Sequence, residues 1–211
     1  MLSMIDGVEQ LQTFFGQYLP QLCIAAVAPF VIFAFIAWWD VPVATVLLVA
    51  DLVQYWTHRA YHEIPFLWRF HAVHHSSEHL DWVAASRLHP LDQTFIRVCG
   101  ILPVYLLGFS KETFGALIAF EGLLAIFIHA NVRWRFGWLE WLIATPAFHH
   151  WHHANENHET SNKNFSGLLP WVDWIFGTFY LPKKYPAKYG INEKMPDDYL
   201  GQMARPFKPR Q

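Results

Sequence analysis

The chain has 211 residues, a formal net charge of −2 and 54% hydrophobic residues, but only 15% charged residues. Its length suits one domain rather than two, and its near-neutral charge argues against nucleic acid as a partner. The charged fraction lies well below the ~25% of a soluble domain, which favours a membrane protein. The two cysteines lie in apolar stretches, so neither a disulfide framework nor a cysteine-rich zinc motif is expected.

Four apolar runs divide the chain, and each of them predicts a helix. They lie at residues 21–39, 43–57, 94–109 and 114–130. The first run nearly matches the ~20 residues that cross a bilayer, whereas the other three are somewhat short for a span. Buried helices of a soluble protein therefore stay an alternative to four membrane crossings.

The distribution of basic residues favours the membrane alternative. Four crossings place residues 1–20, 58–93 and 131–211 on one side of the bilayer. All Lys and Arg residues except Lys111 then fall on that side or at the helix ends that face it, which makes it the cytoplasmic side. We therefore expect an all-α fold, with an integral membrane four-helix core and a cytosolic, histidine-rich helical cap.

Thirteen histidines are present, and most of them recur at spacings that suit a metal site. Imidazole is the most common neutral metal ligand, and residues three or four apart share one face of a helix. So many ligands exceed what one ion coordinates, so more than one ion is predicted. The predicted ligands are His58, His62, His71, His74, His75, His129, His149, His152 and His153.

The spacing also predicts how these ligands are divided. The helix of the second apolar run is expected to continue through His58 and His62, which then stack on one face. In the motif that begins at His71, two histidines share a face and a third lies beside them, which suits two ions that share a helix. The motif that begins at His149 repeats this spacing, and Thr145-Pro146 before it predicts the start of a helix.

Four other histidines are weaker candidates. His150 falls on the far side of its predicted helix, and His79 is interpreted as a surface residue. His158 lies in a polar loop and is either incidental or an extra ligand. His89 precedes Pro90, so it either begins the third apolar helix or adds a ligand to the site.

Asp51 lies seven residues before His58, which is close to two helical turns. A carboxylate within an apolar run can orient a ligand imidazole by accepting its second N–H. Alternatively, it is a helix-interior Asp that bonds to a Tyr or Trp side chain. The sequence leaves both interpretations open.

Ligand chemistry favours iron. A structural zinc site uses four ligands, often with sulfur, and haem uses one or two axial histidines rather than adjacent pairs. The zinc protease motif is absent, because His62-Glu63 is not followed by a histidine at the required position. Many imidazoles around two ions suit iron, which activates O₂ when a coordination position stays open. Manganese and zinc fit the same ligands and stay alternatives.

These motifs resemble those of the fatty acid hydroxylase/sterol desaturase superfamily of membrane di-iron oxygenases, which carry HxxxH, HxxHH and a second HxxHH in this order. The likeness covers about residues 45–182 and departs from the family at His150 and Ser166. Further similar stretches are Asp51–Arg59, Leu67–Ser77, Arg87–Asp92, Asn164-Phe165 and Trp171–Phe179.

The resemblance implies a division of the chain and a reaction. Residues 21–182 would form the di-iron domain, after an N-terminal segment at 1–20 and before a polar C-terminal tail at 183–211. Two iron ions would use O₂ to hydroxylate or desaturate an unactivated C–H bond of a lipid. In the similar segments, Asn164 and Asp173 are candidates for an extra ligand or for a group that orients one.

An external electron donor is also implied, because the sequence has no flavin or nicotinamide motif. Cytochrome b5, ferredoxin or a reductase would fill this role. Two other classes of function stay open at this point. One is a non-catalytic metal-binding or metal-transport membrane protein, and the other is a membrane metallohydrolase with a glutamate base, for which Glu63, Glu78 and Glu156 are weak candidates.

Overall fold

The computed structural model describes Trp38 and residues 41–157 and 160–208. In this part of the chain the regular elements are all helical, as predicted, and an isolated bridge pairs Ala154 with Tyr189. The helices are α1 (Val41–Glu63), α2 (Pro65–His75), α3 (Pro90–Leu106), α4 (Lys111–His129), α5 (Pro146–His152), α6 (Pro170–Ile175) and α7 (Tyr199–Ala204). Short 3₁₀ turns lie at Ala84–Ser86, Gly137–Trp141 and Arg205–Phe207.

The helices confirm the apolar runs that lie in the described residues. The second run continues without a break through His58 and His62 as α1, while α3 and α4 contain most of the third and fourth runs. Helix α5 begins as predicted, because the Thr145 hydroxyl accepts the Phe148 N–H and Pro146 occupies the first turn. The predicted segment at 1–20 and nearly all of the first run lie outside the described residues.

Helix α1 is the centre of the packing, since it lies against both α2 and α3, while α4 packs against α5. The inner face of α4 carries buried side chains at Leu117, Phe120, Leu124 and Phe127. These positions recur every three or four residues and therefore form one stripe. They pack with apolar residues of α1 and with the segments before and after α5.

Among the described residues, one helix is a candidate for spanning a membrane. Helix α4 is long and apolar enough to cross a bilayer, a test that a core helix of a soluble protein also passes. The described residues are all-helical in their regular elements, whereas the four-helix membrane core and the cytosolic cap stay predictions.

The segment from 183 onward, which was interpreted as a polar tail, packs on α2 as far as it is described. The guanidinium of Arg205 pairs with Glu193 and donates to the Arg69 carbonyl, and Arg69 in turn donates to the Lys208 carbonyl. The Phe207 ring contacts Phe70 of α2 at a centroid distance of 5.6 Å. These contacts hold the end of the chain beside the helix that carries the second histidine motif.

Asp51 ties the middle of α1 to the loop before α6. Its carboxylate accepts backbone N–H groups from Gly167 at 3.0 Å, Leu168 at 2.7 Å and Leu169 at 3.0 Å. Among the described residues, Asp51 forms no hydrogen bond to an imidazole, Tyr or Trp side chain, so both interpretations from the sequence miss these partners. The error arose because these partners lie more than 110 residues away along the chain, beyond the reach of local spacing.

We expect Asp51→Ala to lower the free energy of unfolding by at least ~2 kcal/mol, because three backbone N–H groups, one of them buried, would lose their shared acceptor. Thermal and denaturant unfolding in detergent would measure this loss. Glu112→Ala is the matched control, since Glu112 is exposed and only weakly paired with Lys111, and it should change stability by less than ~0.5 kcal/mol. Equal stability of the two variants would contradict the role given to Asp51.

Candidate metal centre

The nine predicted ligands converge from α1, α2, α4 and α5 into two groups. Within each group, one ring nitrogen from every histidine lies within 4.8 Å of the others. All nine are buried except His62, which is half-buried. The first group contains His58, His62, His71, His75 and His152, and the second contains His74, His129, His149 and His153.

Both HxxHH helices contribute to both groups. Helix α2 gives His71 and His75 to the first group and His74 to the second. Helix α5 gives His152 to the first group and His149 to the second, and its C-cap residue His153 joins the second group. The cause is helical geometry, because residues four apart lie nearly in line while the third residue points well to one side. The two short motifs therefore bridge the groups, as the spacing predicted.

The first group contains two ring nitrogens that face each other without a proton between them. His58 Nδ1 donates to the Phe165 carbonyl at 2.8 Å, and His71 Nδ1 donates to Asp92 Oδ2 at 2.9 Å. Each neutral ring then carries a lone pair on Nε2, and these two Nε2 atoms are 3.0 Å apart. Two lone pairs at this distance repel each other, and a cation that both coordinate removes the repulsion.

The second group repeats this arrangement. His74 Nδ1 donates to the Arg87 carbonyl at 3.2 Å and His129 Nδ1 to the Ala125 carbonyl at 2.7 Å. Their Nε2 atoms, which again carry lone pairs, are 3.2 Å apart. His149 Nε2 lies 3.0 Å from His129 Nε2, so a third ring nitrogen adjoins this pair.

Other ring nitrogens in the groups are buried and free of hydrogen bonds. Among the described residues they include the Nε2 atoms of His62, His75 and His152. His62 Nδ1 faces Asn162 Oδ1 at 3.2 Å, and His152 Nδ1 donates to the Lys163 carbonyl at 2.8 Å. An imidazole that ligates a metal typically donates its second N–H to such an acceptor. The residues present therefore fit two metal ions, and the assignment of each ligand stays a prediction.

The protonation state of these rings also suits metal binding. Burial lowers the pKa of His74 to about 4, and it lowers the pKa of His71 and His75 well below the usual value for histidine. Nearby imidazoles lower the last two further. The rings are therefore neutral near pH 7, and neutral imidazole is the form that coordinates a metal.

Asp92 is the carboxylate that orients His71, a predicted ligand, and the sequence analysis did not assign it this role. It lies in the first turn of α3 with no exposed surface, and it accepts the Nδ1–H of His71. A sequence signal was present, because Asp92 closes the similar stretch that begins at Arg87. Spacing alone did not single it out, because Asp92 and His71 are 21 residues apart and lie on different helices.

Asp173 and Asn164, the candidates from the similar segments, support the site through hydrogen bonds to backbone groups. Asp173 accepts the N–H groups of Phe165 at 2.7 Å and Ser166 at 2.9 Å. It therefore holds the carbonyl of Phe165 against His58. Asn164, which has a positive φ of 59°, donates to the carbonyls of Phe148 and Tyr180 at 2.8 Å each. Neither side chain bonds to a histidine of the two groups in the described structure.

His89 uses both ring nitrogens elsewhere. Its Nδ1 accepts the Leu91 N–H at 3.2 Å and caps α3, while its Nε2 donates to the Met203 carbonyl at 3.1 Å. The first of the two interpretations, the start of the third helix, describes this residue.

The histidines interpreted as bystanders lie outside both groups where the structure describes them. His150 Nε2 donates to the Ala130 carbonyl at 3.1 Å and its Nδ1 accepts from the Tyr189 hydroxyl at 2.9 Å. His79 is exposed. His158 lies outside the described residues.

A cavity of about 350 Å³ adjoins both groups. His58 and His71 of the first group line it together with His74, His129 and His149 of the second. The remaining wall is mostly apolar and comes from α1, α3, α4, the segment around the 3₁₀ turn at Ala84–Ser86 and the loop before α6. A Cβ added at Gly100 or Gly122, which both line the cavity, would meet no atom within 4 Å. These glycines therefore keep space open beside the histidines.

Comparison with known proteins finds similarity over the region that carries both histidine groups. The chain belongs to the fatty acid hydroxylase family, whose model matches residues 43–178. The matched range begins in α1 and ends after α6, so it contains every histidine of both groups. No solved structure matches the chain.

Several curated relatives share this region. Ornithine lipid hydroxylase OlsE of Rhizobium tropici is 38% identical over 165 residues, which are 76% of this chain and 49% of that protein. Alkylglycerol monooxygenase of Homo sapiens is 34% identical over 143 residues, covering 67% of this chain and 32% of that protein. The putative Delta(7)-sterol-C5(6)-desaturase 2 of Arabidopsis thaliana is 26% identical over 156 residues, covering 72% and 53%. The chain thus spans about half or less of the length of these relatives.

We expect Asp92→Ala to weaken metal binding about 10–100-fold, because His71 loses the acceptor that fixes its orientation. Chelator competition on the purified protein would measure the change. Asp92→Asn keeps an oxygen acceptor and should recover most of the affinity, and the exposed Asp197→Ala should have no effect. Unchanged affinity in Asp92→Ala would show that this carboxylate does not orient a ligand.

His129 is the one predicted ligand with no partner in its own motif, so it has a separate test. At the C-terminus of α4 a positive charge is favoured by ~0.3–1 kcal/mol, and a merely structural histidine would tolerate lysine. As a ligand, His129 should lose metal and activity in both His129→Lys and His129→Ala, because neither side chain replaces imidazole. Full metal content in His129→Lys would refute the assignment.

Proposed function

We propose that the protein is a membrane-bound, O₂-dependent oxygenase that hydroxylates, or desaturates, an unactivated C–H bond of a lipid. The observation that carries this proposal is the pair of histidine groups with convergent lone pairs beside one apolar cavity. Family membership and relatives named as a lipid hydroxylase, a monooxygenase and a desaturase support the same chemistry.

Two iron ions would occupy the groups, one held by the histidines of each. Iron supplies the capacity to activate O₂ when a coordination position stays open. In hydroxylation, one oxygen atom of O₂ enters the C–H bond, and the other leaves as water with two protons and two electrons. The electrons come from outside, and we propose cytochrome b5, ferredoxin or a reductase as the donor.

The residues of the chain position and enclose this chemistry. Asp92 and the carbonyls of Phe165, Lys163, Arg87 and Ala125 hold the imidazoles in the tautomer that leaves Nε2 free. The cavity wall is mostly apolar, so it suits a hydrocarbon segment and limits water beside the histidines.

The alternatives have less support. A hydrolase needs a base beside its metal, yet Glu63 and Glu78 are exposed, and Glu156 bonds to the Ala187 N–H and pairs with Lys184. None of these three belongs to a histidine group. For metal transport, the relatives named above provide no support.

Membrane embedding is part of the proposal. The outward face of α3 exposes a stripe of large apolar side chains at Leu91, Phe95, Val98, Leu102 and Tyr105. Contiguous exposed apolar surface of this kind fits a lipid environment. We propose a multi-pass protein whose histidine motifs lie on the cytoplasmic face, with 21–182 as the di-iron domain between the segments 1–20 and 183–211.

The purified protein should contain about two iron ions per chain, because the histidines exceed the coordination capacity of one ion. Membranes supplied with ¹⁸O₂ and reductant should yield a lipid that carries one ¹⁸O atom if the reaction is hydroxylation. His74→Ala should lose iron and product, whereas His150→Ala, which removes a buried histidine outside both groups, should keep most of each. One tightly held zinc ion and no oxidised lipid would instead favour the hydrolase.

Epitope tags test the topology. In right-side-out cells, tags at residue 1, near Glu78 and at the C-terminus should be protected from protease, and a tag near Lys111 should be cleaved. Cleavage at the Glu78 tag would contradict the four-crossing arrangement, because the segment between α2 and α3 would then face outward.

A further inference from the structure

The cavity beside the histidines contains two opposite charges, which the reaction at the metal does not require. Arg97 of α3 and Glu121 of α4 both line it, on different helices. Each is the sole charged residue in its apolar run, 94–109 and 114–130 respectively. Charged side chains within apolar, membrane-associated segments are costly and usually mark a functional site.

The two side chains line one cavity but do not form a direct ion pair. The ion pairs and hydrogen bonds of the described residues include no contact between Arg97 and Glu121. A purely structural pair would close to hydrogen-bonding distance, because this geometry offsets the cost of burying both charges. Here the space between α3 and α4 belongs to the cavity.

We infer that Arg97 and Glu121 bind the polar head group of the lipid substrate, an inference that rests on the proposed function. A guanidinium donates to a carboxylate or phosphate, and a carboxylate accepts from an ammonium or N–H group. Together they select a head group that carries both charges. The chemical class is a zwitterionic amphiphile, with a carboxylate or phosphate close to an amino group.

Helix geometry limits which carbon of such a lipid reaches the histidines. Glu121 lies eight residues before His129 on α4, and Arg97 lies five residues after Asp92 on α3. At 1.5 Å per residue these separations are about 12 Å and about 8 Å along the helix axes. One leaflet of a bilayer core is about 15 Å thick. The oxidised carbon therefore lies no more than about 12 Å along the chain from a head group bound at these two charges.

Equilibrium binding of radiolabelled probes tests the inference without turnover. The probes share a twelve-carbon chain: Nα-dodecanoyl-lysine carries both charges, dodecanoic acid and dodecylamine carry one each, and dodecanol carries none. Binding to the metal-loaded protein in nanodiscs is compared with binding to protein-free nanodiscs. We expect the acyl-lysine to bind at least tenfold more tightly than every other probe.

Substitutions then assign each charge. Glu121→Gln should reduce the affinity for the acyl-lysine to that for dodecanoic acid, and Arg97→Met should reduce it to that for dodecylamine. Metal content should stay unchanged in both, because neither residue belongs to a histidine group. Glu112→Gln and Lys111→Met, which remove exposed charges at the start of α4, are the matched controls and should bind as the wild type does.

Two outcomes would overturn the inference. One is equal affinity of the wild-type protein for the acyl-lysine and dodecanol. The other is a loss of thermal stability in each single variant that Arg97→Met/Glu121→Gln restores, with probe selectivity unaffected throughout, because this pattern describes a structural ion pair. Selective binding without any ¹⁸O-labelled lipid product would keep the head-group site and reject the oxygenase, so the two proposals fail separately.

Discussion

The structure depends on the burial of neutral imidazoles whose lone pairs point at one another. In each group two Nε2 atoms without protons lie 3.0 to 3.2 Å apart, because their Nδ1–H groups are committed to oxygen acceptors. Such an arrangement is unfavourable by itself and becomes favourable around a cation. The surrounding acceptors therefore make sense as parts of a metal centre, since they fix the tautomers that keep the lone pairs free.

One short segment supports most of the first group. Between residues 162 and 166, Asn162 faces His62, the Lys163 carbonyl accepts from His152 and the Phe165 carbonyl accepts from His58. Both Asn162 and Asn164 have positive φ angles, which asparagine tolerates better than most residues. The carboxylates of Asp51 and Asp173 hold the adjoining backbone N–H groups, so rigid anchors on α1 and α6 determine where these carbonyls lie.

The sequence predicts those parts of this architecture that depend on the spacing of residues within one helix. Helical periodicity places His71 and His75 on one face and His74 beside them, and the apolar runs predict α1, α3 and α4. Asp51 and Asp92 were misassigned or missed because their partners are distant in sequence, and no local pattern reports which helices meet. Similarly, His89 shows an ordinary helix-start signal, while its bond to Met203 depends on where the end of the chain packs.

The hydrogen bond between His89 and Met203 links the C-terminal segment to the candidate metal centre. His89 joins the Met203 carbonyl to the first turn of α3, and the same turn carries Asp92, which fixes the ring of His71. Arg205 strengthens the attachment through the Arg69 carbonyl, two residues before His71 on α2. Both helices that meet at the His71–Asp92 contact are therefore held by residues after 200. A region that composition describes as a polar tail takes part in positioning a predicted ligand.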